Sequence, residues 1–397
     1  MTRCAQSGFQ WFAPPPDDGW SCWKWAATPR RAELGGGGAR GAEGRLECAA
    51  WLPNEAAGKR PLVIVLHGCG QSPDEIDDEL GWKRLAGERR FGVMFIRETG
   101  EGDPSPMWWG PAVDRGCFDW FDLDGAKRNE GQPAAIAQAA SKLAADRPDV
   151  VDAAQIYVVG FSAGAGMAAL LLTAWPDVFA GAGIVAGPAV GIAQSAAGGW
   201  SAYVAPQLMI WPDTMRRWAA DIRAESCRFR GVRPARWPRK VAIWHGEADP
   251  VVNRGHAAAL VDQFASMMGI PVSRHWSWFM PRLEVSGQTA SHSTRSLQDP
   301  LGGGRRSLRR VVFADPQSGE ALIQANWIDY LGHAAPVAPS LDPLGQVIGE
   351  NERRKYVGVD STAEMLDFFG VAAPTGAIMP SAAKAPAKPV RKVKSEG

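Results

Sequence analysis

At 397 residues, 46% of them hydrophobic and 21% charged, the chain can bury a sizeable core and suits one elaborated domain or two modest ones. A net charge of +1 excludes a global electrostatic attraction to nucleic acid or to an acidic membrane surface. The longest apolar stretch, around Leu170 to Trp175, falls short of the roughly 18 apolar residues a membrane helix needs, so no span is expected.

The first residues, MTRCAQSGFQWFAPPPDDGW, carry no apolar run of leader length, and no standard secretory signal is expected. Residues 1–60 are rich in Pro and Gly and read as a lead-in with one edge strand at Leu46 to Leu52. A folded domain is expected over 61–371. It opens with PLVIVL (61–66), a continuous β-branched run of the kind buried on both faces. Helical spacing over Glu79 to Arg90 and a second apolar run, Gly92 to Ile96, follow. The same alternation returns with an alanine-rich helix at 132–146, a strand at Ile156 to Val159, a helix after Ser162, and a short strand at Ile184 to Ala186. Lys240 to Trp244 reads as a strand and Gly255 to Met268 as a helix. About 270–306 is expected as an irregular, Arg-rich insertion before the last strands. Leu308 to Ala314 and Ala321 to Leu331 flank DPQSGE, a hairpin signal. Ser361 to Phe369 has helix spacing, and the Pro/Ala/Lys tail over 372–397 is too poor in apolar residues to fold. Such alternation predicts an α/β fold, a mostly parallel central sheet flanked by helices.

Gly160-Phe161-Ser162-Ala163-Gly164 falls at one of these strand-to-helix junctions. The five-letter pattern arises by chance in so glycine-rich a chain, so its context decides. A serine hydroxyl is a poor nucleophile near neutral pH. It needs a histidine to take its proton, a carboxylate to orient that histidine, and donors for the developing oxyanion. Strands of an open sheet supply these groups in the chain order Ser, Asp or Glu, His, and Asp249 and His333 satisfy it. Glu247 is the weaker substitute because it sits closer to its strand's end. Among the other histidines, His67 and His245 stand at strand ends, where a structural hydrogen bond is expected. His256 opens a helix, and His275 and His292 lie in the irregular region. The oxyanion donors expected are the amide of Ala163 and that of Cys69, which has Gly68 and Gly70 on either side.

The segments LHGCGQS (66–72), CFDWF (117–121), GFSAGAGMAA (160–169), PDVFAGAGIVAG (176–187), IWHGEADPVVN (243–253), YLGHAAP (330–336) and DSTAEMLDFFG (360–370) resemble the polyhydroxybutyrate depolymerase family of esterases. The resemblance covers about 61–265 and 320–371. It implies an α/β-hydrolase fold and hydrolysis of short-chain 3-hydroxyacid esters, with Ser162, Asp249 and His333 at the family's catalytic positions and no cofactor or metal. It also implies that Cys69 and Cys117 lie close enough to pair, although a reducing cytoplasm would keep them as thiols. From the residues alone, the six cysteines contain no C-x-x-C and leave their pairing open. The resemblance suggests a protein acting outside the cell, whereas with no recognisable signal peptide a cytoplasmic location is the alternative, so the compartment stays open.

Trp108, Trp109 and Trp120, of eighteen tryptophans, are candidates to line an apolar cleft or to adsorb on a solid polyester, although indoles are more often core. The basic stretch Arg228 to Lys240 and the tail lysines read as solvated surface. The partner expected is an ester substrate or a polyester surface, with no nucleic acid, and the oligomeric state is not legible. Two alternatives stand beside this reading: a feruloyl or acetylxylan esterase using the same parts, and a non-catalytic binder of polyester granules.

Overall fold

The computed structural model describes residues 2–3, 20–27, 46–54, 58–98, 116–121, 131–192, 216–217, 219–224, 239–276, 283–287, 289–298, 305–337 and 357–371. Trp108, Trp109 and the 372–397 tail lie outside them. The run at 61–66 forms the middle of a sheet as β4 (Arg60–Leu66), with β5 (Gly92–Glu98) on one side and β6 (Val151–Phe161) on the other, both parallel to it. Beyond β6 come β7 (Gly181–Val185), β8 (Lys240–Gly246) and β13 (Ala321–Ile328), each parallel to the last. Antiparallel strands extend this block at both ends. On one side lie β3 (Leu46–Pro53), β2 (Trp20–Ala27) and β1 (Thr2–Arg3); on the other, β12 (Arg305–Ala314) and β11 (Ala290–Gln298). Among the described residues the order is β1-β2-β3-β5-β4-β6-β7-β8-β13-β12-β11.

The unbroken apolar runs follow from burial on both faces. Leu62, Ile64 and Leu66 of β4 and Met94 and Ile96 of β5 face one cluster with helices α3 (Gly131–Asp146), α4 (Ala163–Ala174) and α5 (Gly255–Met268). Val63, Val65, Val93 and Phe95 face the other, with α1 (Pro73–Leu80), α2 (Trp82–Arg89) and α6 (Ser361–Phe369). Each such side chain fully removed from water contributes roughly 1.5–3 kcal/mol, which is why the strands carry no polar face. Helix α1 starts at a reciprocal Ser72–Glu75 capping box with Pro73 at its first position. Asp360 caps α6, whose far end is pinned where the Tyr157 hydroxyl donates to the Phe369 carbonyl at 3.1 Å.

Because β4 has β5 on one side and β6 on the other, the chain reverses direction across the sheet there. The loops leaving β4 and β6 open a crevice at the carboxyl ends of the strands. Two expectations are corrected. Leu46 to Leu52 is not an edge strand: β2 pairs along its whole length, from Trp20 opposite Pro53 to Ala27 opposite Leu46. Nor is 270–306 irregular throughout. Ser273–Trp276 (β9) pairs with Leu283–Ser286 (β10), and β11 pairs with β12 from Ala290 to Gln298. Ser291 to Ser296 is exposed on both faces, so no hydrophobic alternation marks the strand, and only its neighbour defines it. The hairpin between β12 and β13 turns where expected, with Asp315 accepting from the Gln317 amide at 3.0 Å and Gly319 at φ 73°.

Candidate active site

Strand β6 ends at Phe161 and α4 begins at Ala163, so the whole reversal falls on Ser162, held at φ 55° and ψ −117°. That conformation is strained for a residue with a side chain, and it lifts the hydroxyl out of the strand's path. The Ser162 amide donates to Val185 of β7 at 2.9 Å, and its carbonyl accepts from Ala165 and Gly166 at 3.0 and 3.1 Å, starting the helix. The turn closes because two side chains are missing. A Cβ on Gly160 would lie 2.2 Å from the carbonyl carbon and oxygen of Gly164, and one on Gly164 would lie 2.4 Å from the Leu66 oxygen.

His333 reaches Ser162 from the loop after β13, and Asp249 from the loop after β8. His333 Nε2 is 2.9 Å from Ser162 Oγ, and His333 Nδ1 is 2.8 Å from Asp249 Oδ2. With a carboxylate on Nδ1, that nitrogen carries the proton and Nε2 is left to accept from the hydroxyl. Asp249 Oδ1 accepts from the amides of Val251 and Val252 at 2.8 and 2.9 Å. Burial pushes the Asp249 carboxyl upward, but its hydrogen bond to His333, the electrostatic pull of the His333 and His245 rings, and the Val252 amide outweigh burial and hold it below the usual carboxylate value. The two loops are tied by Ala248 donating to the Leu331 carbonyl at 3.0 Å. Gly246 permits the approach, since a Cβ there would lie 2.2 Å from that same oxygen. The Phe161 ring lies 5.0 Å from that of His333 and covers its flank.

Ala163 is the first residue of α4, so its amide belongs to those with no acceptor inside the helix. In the loop after β4, the amides of Gly68, Gly70 and Gln71 are taken by Gln71 Oε1, Gly116 and Gly68. Among the described residues the Cys69 amide has no hydrogen-bond acceptor, and a Cβ on its neighbour Gly68 would lie 3.3 Å from that of Ser162. Cys69 and Cys117 form a disulfide that joins this loop to the 116–121 segment. Beneath it, buried His67 donates from Nδ1 to the Gly68 carbonyl at 2.8 Å and accepts at Nε2 from the Glu98 amide at 3.1 Å. Burial depresses its pKa to about 4, so the ring is a neutral strut.

The remaining candidates separate cleanly. Glu247 pairs with Arg254 and Arg309 at 3.1 and 2.7 Å, whereas the carboxylate that meets His333 is that of Asp249. His256 is buried and accepts from the Ala189 amide at 3.2 Å, while His292 sits on exposed β11 and His275 on β9. Trp120 is 4% exposed and part of the core, so it does not serve as an exposed adsorption group. A Cβ on Gly166 would meet its ring at 3.0 Å, which places the indole against the first turn of α4. Trp108 and Trp109 fall outside the described residues. Sequence reasoning missed Gln71, whose side chain takes the Gly68 amide, and the Val251–Val252 amides. The signal was present as a polar residue after HGCG and as D-P-V-V, an Asp followed by amides free to fold back on it. Among the described residues no group of three or more His, Cys, Asp or Glu is arranged to hold a metal, and no helix is long and apolar enough to cross a membrane.

The family model for Esterase PHB depolymerase matches residues 46–273. The chain is 25% identical over 296 residues to "Poly(3-hydroxyalkanoate) depolymerase C" of Paucimonas lemoignei, covering 75% of this chain and 60% of that one. It is 33% identical over 145 residues to "Poly(3-hydroxybutyrate) depolymerase" of Ralstonia pickettii, covering 35% of this chain and 28% of that one. The chain thus spans less than two thirds of either relative's length. The solved acetyl xylan esterase from Aspergillus awamori superposes with a TM-score of 0.54 at 17% identity, over 82% of this chain and 94% of that one. That likeness is one of fold, the α/β-hydrolase fold.

Proposed function

Because the chain belongs to the PHB depolymerase family of esterases, we propose that it is a serine esterase hydrolysing short-chain hydroxyacid esters, polyhydroxybutyrate or its oligomers among them. One observation carries the reading: the unbroken relay from Ser162 Oγ through His333 to Asp249, at 2.9 and 2.8 Å. Ser162 attacks the ester carbonyl while His333 Nε2 takes its proton, and the Asp249 carboxylate stabilises the imidazolium that forms. The amides of Ala163 and Cys69 receive the oxyanion. His333 then returns the proton to the departing alkoxide, leaving an acyl group on Ser162. A water molecule, deprotonated by the same imidazole, releases the hydroxyacid and restores the hydroxyl.

The test pairs Ser162→Ala with a fluorophosphonate probe and three substrates: p-nitrophenyl butyrate, a 3-hydroxybutyrate oligomer and methyl ferulate. The reading expects covalent labelling of the wild type alone and oligomer turnover well above ferulate turnover. Ferulate preference would move the assignment to a plant cell-wall esterase. No labelling of folded wild-type protein would leave a non-catalytic polyester binder.

A further inference from the structure

Four residues before Asp249, the buried ring of His245 closes β8 at 1% exposure. Its Nε2 lies 2.8 Å from the Val252 carbonyl oxygen and 3.5 Å from Asp249 Oδ2, the oxygen that His333 also reaches. A carbonyl only accepts, so Nε2 carries the proton. Nδ1 has no hydrogen-bond partner among the described residues. Leaving a buried ring nitrogen unpaired is unfavourable, and an apolar residue would fill the same space without it. What histidine adds at this position is the single N–H on Nε2.

That N–H acts on a residue already tied to the site. Val252 donates its own amide to Asp249 Oδ1 at 2.9 Å while its carbonyl accepts from His245. The ring therefore holds the far side of the turn whose near side holds the carboxylate. We propose that His245 is a positioning residue for the Asp249–His333 pair, fixing through Val252 the turn that orients the Asp249 carboxylate and adding a second donor dipole beside its Oδ2. The inference rests on the esterase reading of Ser162, His333 and Asp249. The groups facing the ring agree with it. Burial holds the imidazole pKa below its ordinary value, against the pull of the Asp249 and Glu247 carboxylates and with the repulsion of His333. Glu247 is itself engaged by Arg254 and Arg309. The ring thus stays a neutral donor while His333 gains and loses its proton.

The test compares His245→Leu with His245→Gln in the full chain, using p-nitrophenyl butyrate. Gln places an amide N–H near the position of Nε2, whereas Leu keeps only the bulk. The expected result is a fall in kcat of about 10- to 100-fold for H245L with KM within about threefold, and recovery to within about fivefold of wild type in H245Q. Wild-type kcat in folded H245L, a loss in H245Q equal to that in H245L, or a change confined to KM overturns the proposal. Should H245L not fold, nitrogen-15 histidine spectra of the wild type decide. An Nε2–H tautomer for His245 near neutral pH supports it, and an Nδ1–H tautomer refutes it. Ser162→Ala separates this failure from that of the esterase reading: turnover surviving in S162A sinks both, while inactive S162A beside fully active H245L sinks only the role of His245.

Discussion

Replacing Asp249 by Asn tests the relay at its least ambiguous point. The isosteric amide has one acceptor where the carboxylate has two, and Asp249 faces donors on both oxygens: two amides on Oδ1, and His333 on Oδ2 with His245 at 3.5 Å. If the amide nitrogen turned toward Val251 and Val252, two hydrogen bonds would become donor–donor contacts. If it turns toward His333, only one does, and the imidazole can relieve that contact by moving its proton from Nδ1 to Nε2. Hydrogen bonds between neutral groups contribute about 0.5–1.5 kcal/mol each, so the second arrangement wins by roughly one such bond. It leaves His333 with a proton on the nitrogen that faces Ser162 Oγ, unable to accept another, and without a carboxylate to stabilise an imidazolium. Misplacing the tautomer in a Ser–His–Asp relay lowers kcat by roughly 10⁴-fold, or about 5.5 kcal/mol of barrier. The assay is p-nitrophenyl butyrate hydrolysis near neutral pH, with circular dichroism to confirm the fold. A folded D249N enzyme whose kcat stays within about tenfold of wild type would refute the tautomer argument.

Gly246→Ala should lower kcat at least about tenfold, because the added Cβ would sit 2.2 Å from the Leu331 carbonyl and must displace the loop bearing His333; unchanged turnover would show that the loop yields freely. Glu247→Gln should leave turnover within about threefold, since that carboxylate is engaged by Arg254 and Arg309, and a loss comparable to D249N would mean that the two acids had been assigned wrongly. His67 has a folded pKa near 4 against an ordinary 6.5. The unfolded chain therefore binds the extra proton first as pH falls. The contribution is fully present above 6.5 and disappears progressively down to about 4, by roughly 3 kcal/mol in all. Urea midpoints measured across that window should fall more steeply for wild type than for His67→Gln, and parallel slopes would contradict the burial argument. Cys69→Ser with Cys117→Ser opens a loop of 48 residues and should lower stability by about 2–4 kcal/mol, read as a drop in melting temperature.

What could be read from the chain alone is what neighbouring residues decide between themselves. PLVIVL is apolar at every position because both faces of β4 are covered. The turn at Ser162 is legible because Gly160 and Gly164 stand where a helix must leave a strand at once. DPQSGE specifies its own hairpin through the Asp315 side chain and Gly319. The order of Ser162, Asp249 and His333 follows from strands that present their carboxyl ends on one edge.

Other features depend on residues far apart in sequence, and there local pattern carries no information. Strand β11 is polar on both faces and exists only because β12 offers it an edge, while β2 turns an expected edge strand into an inner one. Trp120 is an amphipathic residue until α4 and Pro188 close around it. Asp249 and Glu247 are two acids two residues apart, indistinguishable by type. The fold separates them by facing one with an imidazole and the other with two guanidinium groups. Local sterics and hydrophobic period set which elements form. Which charged and polar groups meet is set by long-range strand pairing, whose energy no single stretch of chain contains.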